Sequence, residues 1–142
     1  MKKLLMGSML ILATGLSTGC TNLNSFQRAE YQSMQAAGLA VQEKKPKVAA
    51  ALGILPGGGS FYTRQWGLGI ADVLLWPASI LWDPFAGYAG AEVINYDVSR
   101  AYVKHIKAKE LADLEHRLED NQLSQAEFIE KRRAIDGRYN FD

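Results

Sequence analysis

The chain has 142 residues, with 16 Lys and Arg against 15 Asp and Glu, a formal net charge of +1. This length suits one modest domain. The near-zero charge argues against a nucleic-acid-binding protein, because such proteins neutralise phosphates with an excess of basic side chains. We therefore expect no nucleic-acid partner.

The first nineteen residues have the composition of a secretory signal peptide. Lys2 and Lys3 give a positive start, residues 4–16 are apolar and uncharged, and residues 17–19 are small. The apolar run is shorter than the roughly 20 residues that a transmembrane helix needs. We expect residues 1–19 to be cleaved, which leaves 14 basic against 15 acidic residues and a net charge of −1.

Cys20 is the only cysteine, so an internal disulfide is excluded. Residues 16–20, Leu-Ser-Thr-Gly-Cys, resemble the lipobox of bacterial lipoproteins. The resemblance implies that Cys20 carries a fatty-acyl chain such as palmitate, becomes the new N-terminus and anchors the chain to membrane lipid. Because Thr21 follows, the same class implies the periplasmic face of the outer membrane in a Gram-negative host. An ordinary signal peptide beside a free cysteine is the alternative.

Residues 20–46 are polar and of mixed character, with a weak apolar stripe that includes Phe26 and Met34. Gly38 and a Lys-rich segment at 43–47 interrupt the stripe. We interpret residues 20–46 as the lipidated N-terminus and a tether. A docked helix is the alternative interpretation.

Residues 47–96 are the apolar part of the mature chain. Residues 48–55 are compatible with a helix, and Pro56 with the three glycines after it ends that run. Residues 67–82 form a second apolar run, which contains one proline and has Asp72 as its only charge. This order predicts an apolar, Gly-interrupted helical hairpin, followed by the start of a third helix.

Asp83-Pro84 is a favourable helix start, because Asp caps the first turn and Pro suits the first helical position. We expect a long helix from Pro84 to Glu119. Two pairs of small residues near its start, spaced four apart, favour close helix packing. They are Ala86 with Gly90 and Gly87 with Ala91.

Residues 97–142 predict the charged remainder of this helix and a short C-terminal helical hairpin. Leu111, Leu114 and Leu118 recur at helical spacing. Ser124 and Glu127 have the spacing of a capping box, which starts a second helix. The expected fold class is therefore all-α.

Neither apolar run is long enough to cross a bilayer as a free helix. Residues 67–82 reach roughly 24 Å, at about 1.5 Å per residue, against a hydrocarbon core of about 30 Å. A central Asp72 adds about 2.5–3.5 kcal/mol to insertion. An interfacial hairpin and the packed core of a small soluble domain are equally expected, and a marginal two-span hairpin is a third alternative. In the interfacial placement, five aromatic side chains lie at the lipid headgroups: Phe61, Tyr62, Trp66, Trp76 and Trp82.

Arg64, Asp72 and Asp83 are the polar side chains expected near apolar surroundings. A buried carboxylate is costly unless it is paired. One hypothesis is that Arg64 pairs with Asp72 or Asp83 and fixes the hairpin; the alternative is that each side chain reaches water.

His105 and His116 are eleven residues apart and roughly 16 Å apart along a helix, so they do not share a metal ion. We expect no metal site, no cofactor and no catalytic residue.

The order of motifs between residues 45 and 83 resembles the TM2 domain, a helical hairpin of many bacterial membrane proteins. The matching features are Lys47 before an Ala-rich helix, three glycines at 57–59, Phe61-Tyr62, Gly-Leu-Gly-Ile at 67–70, and Asp83.

Residues 110–135 resemble the SHOCT domain, a short helical pair at the C-terminus of many bacterial membrane proteins. The matching positions are Leu111, Leu114, Leu123, Ser124, Glu127, Phe128, Lys131 and Ile135. The resemblance implies a role in oligomerisation or protein contacts and no catalytic residues.

These features predict a lipid-anchored, non-enzymatic protein of the bacterial cell envelope that acts as a membrane-apposed structural or protein-interaction module. Its partners would be membrane lipid and either a second copy or another envelope protein. One alternative is an envelope-modifying or phage-exclusion lipoprotein that blocks a partner. A lipid or cell-wall enzyme is a further alternative.

Overall fold

The computed structural model describes residues 22–141, and the regular structure in that range is helical. The elements in chain order are α1 (Ser25–Ala36), α2 (Pro46–Leu52), α3 (Gly58–Tyr62), α4 (Trp66–Leu74), a 3₁₀ helix (Ala78–Leu81), α5 (Asp83–Glu119) and α6 (Gln125–Arg138). The predicted all-α fold is confirmed. The predictions for residues 1–21, including cleavage and lipidation at Cys20, lie outside the described residues.

The chain forms two compact units, and α5 contributes residues to both. We call residues 22–24 and 43–95 the hairpin unit, and residues 25–42 and 96–141 the terminal unit. The division between the two units falls inside α5, between residues 95 and 96. Residues 25–42, however, belong with the C-terminal part of the chain, which the prediction did not foresee.

The terminal unit corrects the interpretation of residues 20–46 as a tether. Residues 25–36 form α1, which buries Met34 at 1% exposure. The ring of Tyr31 on α1 meets the ring of Tyr96 edge-on, with 6.4 Å between the ring centroids. The docked helix that was the alternative is therefore the observed structure of this segment.

The C-terminal helical pair is confirmed, with Leu114 of α5 and Ile135 of α6 buried. The Nζ atom of Lys107 lies 2.9 Å from a carboxylate oxygen of Asp136. The predicted capping box is present at the start of α6: the Ser124 amide donates to Glu127, and the Glu127 amide donates to the Ser124 hydroxyl. The Glu127 carboxylate accepts hydrogen bonds from the amide and from the hydroxyl of Ser124, and these two bonds lower its pKa.

The hairpin unit packs its helices so closely that most of its glycines leave no room for a Cβ atom. A Cβ atom on Gly57, whose φ is +68°, would lie 2.4 Å from the carbonyl oxygen of Gly69. A Cβ atom on Gly87 of α5 would lie 2.8 Å from the carbonyl oxygen of Ala49 on α2. The role predicted for small residues at the start of α5 is therefore observed at Gly87.

The two apolar runs are shorter helices than the sequence suggested. The one-turn helix α3 begins within the three glycines, at Gly58, and ends at Tyr62. The second run is divided into α4, which ends at Leu74, and the 3₁₀ helix that follows Pro77. Proline lacks an amide donor and does not continue a helix, so the division falls where the sequence places Pro77.

Candidate functional site: an apolar surface and a buried carboxylate pair

Two aspartates from different elements meet inside the hairpin unit. Asp72 projects from α4 and is 1% exposed, while Asp83 opens α5 and is fully buried. Ser60 of α3 lies between them and is also fully buried. We call these three side chains the carboxylate cluster.

The Ser60 hydroxyl contacts both acids. Its Oγ atom lies 2.9 Å from Oδ2 of Asp72 and 2.6 Å from Oδ1 of Asp83. Asp83 also accepts the backbone amides of Gly59, at 3.1 Å, and Ser60, at 2.9 Å. The indole Nε1 of Trp82 donates to Oδ1 of Asp72 at 2.6 Å. Every carboxylate oxygen of the cluster therefore has a hydrogen-bond partner.

The glycines at the start of α3 allow the Asp83 carboxylate to reach the backbone amides of that helix. The first turn of α3 presents its free amides, which favour a negative charge. A Cβ atom on Gly59 would lie 2.9 Å from the carbonyl oxygen of Asp83 and 3.1 Å from its Oδ1 atom. Gly59 thus lets the start of α5 approach α3 closely enough for the carboxylate to bind both amides.

Burial raises the pKa of Asp83 above the ordinary value of 3.8. The negative charge of Asp72 raises it further, whereas the Ser60 hydroxyl and the amides of Gly59 and Ser60 lower it. In the described part of the chain, no lysine or arginine forms an ion pair with either carboxylate. The partners of this pair are therefore neutral hydrogen-bond donors.

The hypothesis that Arg64 pairs with Asp72 or Asp83 is corrected by the structure. The exposed guanidinium of Arg64 forms its ion pair with Glu43 instead. Asn95 of α5 fixes the segment that carries Glu43, since its Oδ1 atom accepts the amides of Glu43 and Lys44 at 2.9 and 2.8 Å. Arg64 thus forms an ion pair at the surface of the hairpin unit and not in its interior.

The outside of the hairpin unit is unusually apolar between Trp66 and Tyr88. Large apolar side chains in this stretch are 37–78% exposed. They are Trp66, Ile70, Val73, Leu74, Leu75, Trp76, Ile80, Leu81, Trp82, Phe85 and Tyr88, and we call them the apolar surface. Residues 65–91 contain only two charged side chains, Asp72 and Asp83, and both are buried. The apolar surface therefore lies in a segment that exposes no charge.

The five aromatic residues expected at an interface divide into two groups. Trp66, Trp76 and Trp82 are exposed and belong to the apolar surface. Phe61 is half-buried and packs on Trp66, with 5.6 Å between ring centroids. Tyr62 is also half-buried; its hydroxyl accepts the amide of Lys45 at 3.3 Å.

Between residues 22 and 141, no helix is both long enough and apolar enough to cross a membrane. In the same range, no three histidine, cysteine or acidic side chains are grouped as metal ligands are. His116 lies on the surface, 3.6 Å from Glu119.

The sequence reasoning missed Ser60, the residue that joins the two aspartates. A signal was available: residues 65–99 contain no lysine or arginine, so Asp72 and Asp83 have no cation among their chain neighbours. Two buried acids without a cation need neutral donors, and Ser60 and Trp82 are the nearby side chains that supply them.

No family model matches the chain, and comparison with curated proteins and with solved structures gives no match.

Proposed function

We propose that the chain is a lipid-anchored, non-enzymatic protein of the bacterial cell envelope whose hairpin unit rests on the membrane surface. The observation that carries the proposal is the apolar surface, in a segment that exposes no charge. Single exposed apolar residues are ordinary on soluble proteins. A concentrated, uncharged set of them marks an interaction site.

The composition of the apolar surface favours lipid over a protein partner. Interfaces between proteins have a polar rim and specific hydrogen bonds, whereas residues 65–91 expose no ionised group with which to pair a partner. Tryptophan is the side chain most typical of the headgroup region, because its ring is apolar and its N–H is polar. All three tryptophans of the chain belong to this surface.

The position of the predicted anchor supports the same placement. Residues 22–24, which begin two positions after Cys20, belong to the hairpin unit, and Leu23 is buried. A lipid on Cys20 would therefore hold the hairpin unit, and not only a distant tether, close to the bilayer. Stable membrane attachment commonly combines a lipid chain with a second signal on the protein; the apolar surface supplies that signal.

The two resemblances fit this proposal. The TM2-like order of motifs covers α2, α3 and α4, and in this chain it would describe a hairpin that lies on the bilayer. The SHOCT-like segment, which covers the end of α5 and α6, would then offer contacts to a second copy or to another envelope protein.

Vesicle flotation of the mature chain tests the proposal without the anchor. In a Cys20→Ser background, we expect the chain to float with phospholipid vesicles, and Leu81→Glu to weaken binding about 10- to 100-fold. Leu81 is 77% exposed, so the change spares the fold. The expected loss corresponds to about 1.5–3 kcal/mol for one inserted leucine. Ile129→Glu on α6 is the matched control, since Ile129 is exposed outside the apolar surface.

Equal binding by the two glutamate variants would contradict the proposal. A chain that does not float, but forms a dimer that Leu81→Glu dissociates, would also contradict it. In that case the apolar surface is an interface between copies.

A further inference from the structure

We propose that Asp72, Ser60 and Asp83 form a proton-binding site, which holds one proton between the two carboxyl groups at neutral pH. The proposal concerns the interior of the hairpin unit. It is independent of what the apolar surface contacts.

The contacts of the Ser60 hydroxyl indicate how many protons the two carboxyl groups hold. A serine hydroxyl has one hydrogen to donate and lone pairs to accept. Its Oγ atom lies within hydrogen-bonding distance of a carboxyl oxygen on each side, 2.9 Å from Asp72 and 2.6 Å from Asp83. The hydroxyl hydrogen is donated to one of the two carboxyl groups. The other carboxyl group must then carry a proton and donate it to the hydroxyl oxygen, because otherwise an anionic oxygen would face the hydroxyl lone pairs.

Two positions of this proton satisfy the observed hydrogen bonds. In the first, Asp72 carries the proton and donates to Ser60, which donates to an ionised Asp83 that also accepts two backbone amides. In the second, Asp83 carries the proton and Ser60 donates to an ionised Asp72, which also accepts the Trp82 indole. The proton therefore belongs to the pair and not to one residue.

Electrostatics favours the same proton count. Two adjacent carboxyl groups in a buried site do not both ionise readily, since burial and mutual repulsion each disfavour the second charge. Burial is the largest cause of the raised pKa of Asp83, and the charge of Asp72 adds to it.

The other titratable groups around the cluster are exposed or bound elsewhere. Lys47 of α2 and Tyr88 of α5 are exposed, and Glu92 of α5 is half-buried farther along that helix. Tyr62 of α3 accepts the amide of Lys45, and Arg64 pairs with Glu43. On α4 the titratable group is Asp72 itself, and the 3₁₀ helix has none. No cation of these elements pairs with the second carboxylate and removes the need for the proton.

Proton release on unfolding is the direct test. In the unfolded chain both aspartates ionise near their ordinary pKa. At neutral pH, unfolding of the full mature chain by denaturant in weakly buffered solution should therefore release about one proton from the cluster. The released proton passes to solvent and is counted with an indicator dye or by back-titration.

The pH dependence of the free energy of unfolding also reports how many protons the carboxylate cluster holds. Because the folded cluster would hold a proton that the unfolded aspartates release, its stabilising contribution is complete at acid pH and is lost as the pH rises. Between about pH 5 and pH 7, the cluster should raise the unfolding equilibrium constant tenfold for each pH unit.

Asparagine variants assign the proton to the cluster. In Asp72→Asn, the side-chain oxygen still accepts the Trp82 indole and the NH2 group can donate to Ser60, which then donates to an ionised Asp83. This variant should fold and should release about one proton fewer than the wild type. Asp83→Asn is less conservative, because both oxygens of Asp83 accept backbone amides and an NH2 group cannot. Asp113→Asn, at an exposed position of α5, is the matched control and should release as many protons as the wild type.

Infrared spectroscopy of the folded wild type tests for the shared proton without the need for a variant that folds. At neutral pH the spectrum should contain the C=O stretch of one neutral carboxyl group shielded from deuterium exchange. A wild type that has no such band and releases no proton would overturn the proposal. Asparagine variants that fold and release as many protons as the wild type would also overturn it.

Discussion

Tyr96 donates a hydrogen bond to a buried carboxylate in the terminal unit. Its hydroxyl lies 2.6 Å from Oε2 of Glu30, which is 6% exposed. The Nε atom of Arg100 is 3.7 Å from the other oxygen of Glu30. The single hydroxyl of Tyr96 therefore supplies a closer contact to this carboxylate than the neighbouring cation does.

Replacing Tyr96 with phenylalanine should lower the free energy of unfolding by about 1–3 kcal/mol, the usual cost of a buried acceptor that loses its donor. Chemical denaturation measures the effect. Tyr102→Phe is the matched control, because Tyr102 lies on the same helix but is 45% exposed. Equal stability of the two variants would show that the hydrogen bond to Glu30 contributes nothing.

The same contact has a signature at alkaline pH. Burial and the hydrogen bond to Glu30 raise the pKa of Tyr96 from 10.0 to about 12. Because the raised pKa favours the neutral phenol in the folded state, the stabilisation is complete below pH 10 and is lost as the pH rises through about 12. Tyr96→Phe should remove this part of the alkaline destabilisation.

Residue-level features were predictable where both partners are near in sequence. The capping box joins Ser124 to Glu127, three positions apart, and sequence analysis found it. The Ser60 contacts reach 12 and 23 positions along the chain, and the Tyr96 contact with Glu30 reaches 66. Such pairings depend on how helices pack, so local patterns do not reveal them.

At the level of the elements, close packing of α5 on α2 makes Gly87 a sensitive position. Gly87→Ala places a Cβ atom 2.8 Å from the Ala49 carbonyl oxygen and 2.9 Å from the Cα atom of Gly59. Neither contact is with a side chain that can rotate away. We expect the hairpin unit to lose about 1–3 kcal/mol of stability, as overpacked cores do.

Gly67→Ala on α4 is the control for this prediction. A Cβ atom there would meet nothing within 4 Å, and alanine is the better helix former. We expect unchanged or slightly increased stability, by up to about 1 kcal/mol. Thermal unfolding measures the stability of Gly87→Ala and Gly67→Ala. Equal melting temperatures of these two variants would contradict the close packing at Gly87.

Helix boundaries followed the sequence where strong local signals exist. Asp83-Pro84 starts α5 as expected, and the helix ends at Glu119 as expected. The apolar run before it was harder to interpret, because hydrophobicity alone does not distinguish one helix from the shorter α4 and 3₁₀ helix that Pro77 separates. Hydrophobicity accounts for the apolar character of this segment, and Pro77 accounts for its division.

At the level of the whole chain, the partition into two units was only half foreseen. The composition changes near residue 96, where the sequence becomes charged, and the two units divide between residues 95 and 96. The assignment of residues 25–42 to the terminal unit depends on the docking of α1. Its apolar stripe is weak in the sequence, yet Tyr31 and Met34 are buried.

The arrangement of the hairpin unit explains how an acidic segment can present an uncharged exterior. The two carboxyl groups of residues 65–91 point inward to Ser60, the α3 amides and Trp82, while the large apolar side chains face outward. A membrane-apposed role needs this separation, because an exposed carboxylate among apolar side chains would oppose entry into the interface.

Tryptophan fluorescence with brominated lipids in the vesicles tests the membrane placement most directly. The chain has three tryptophans, all in the apolar surface, so its fluorescence reports on that surface alone. We predict a blue shift on binding to vesicles and strong quenching by bromine placed near the headgroups. Full emission of the vesicle-bound chain, unshifted and unquenched at every bromine depth, would contradict the proposed contact between the hairpin unit and lipid.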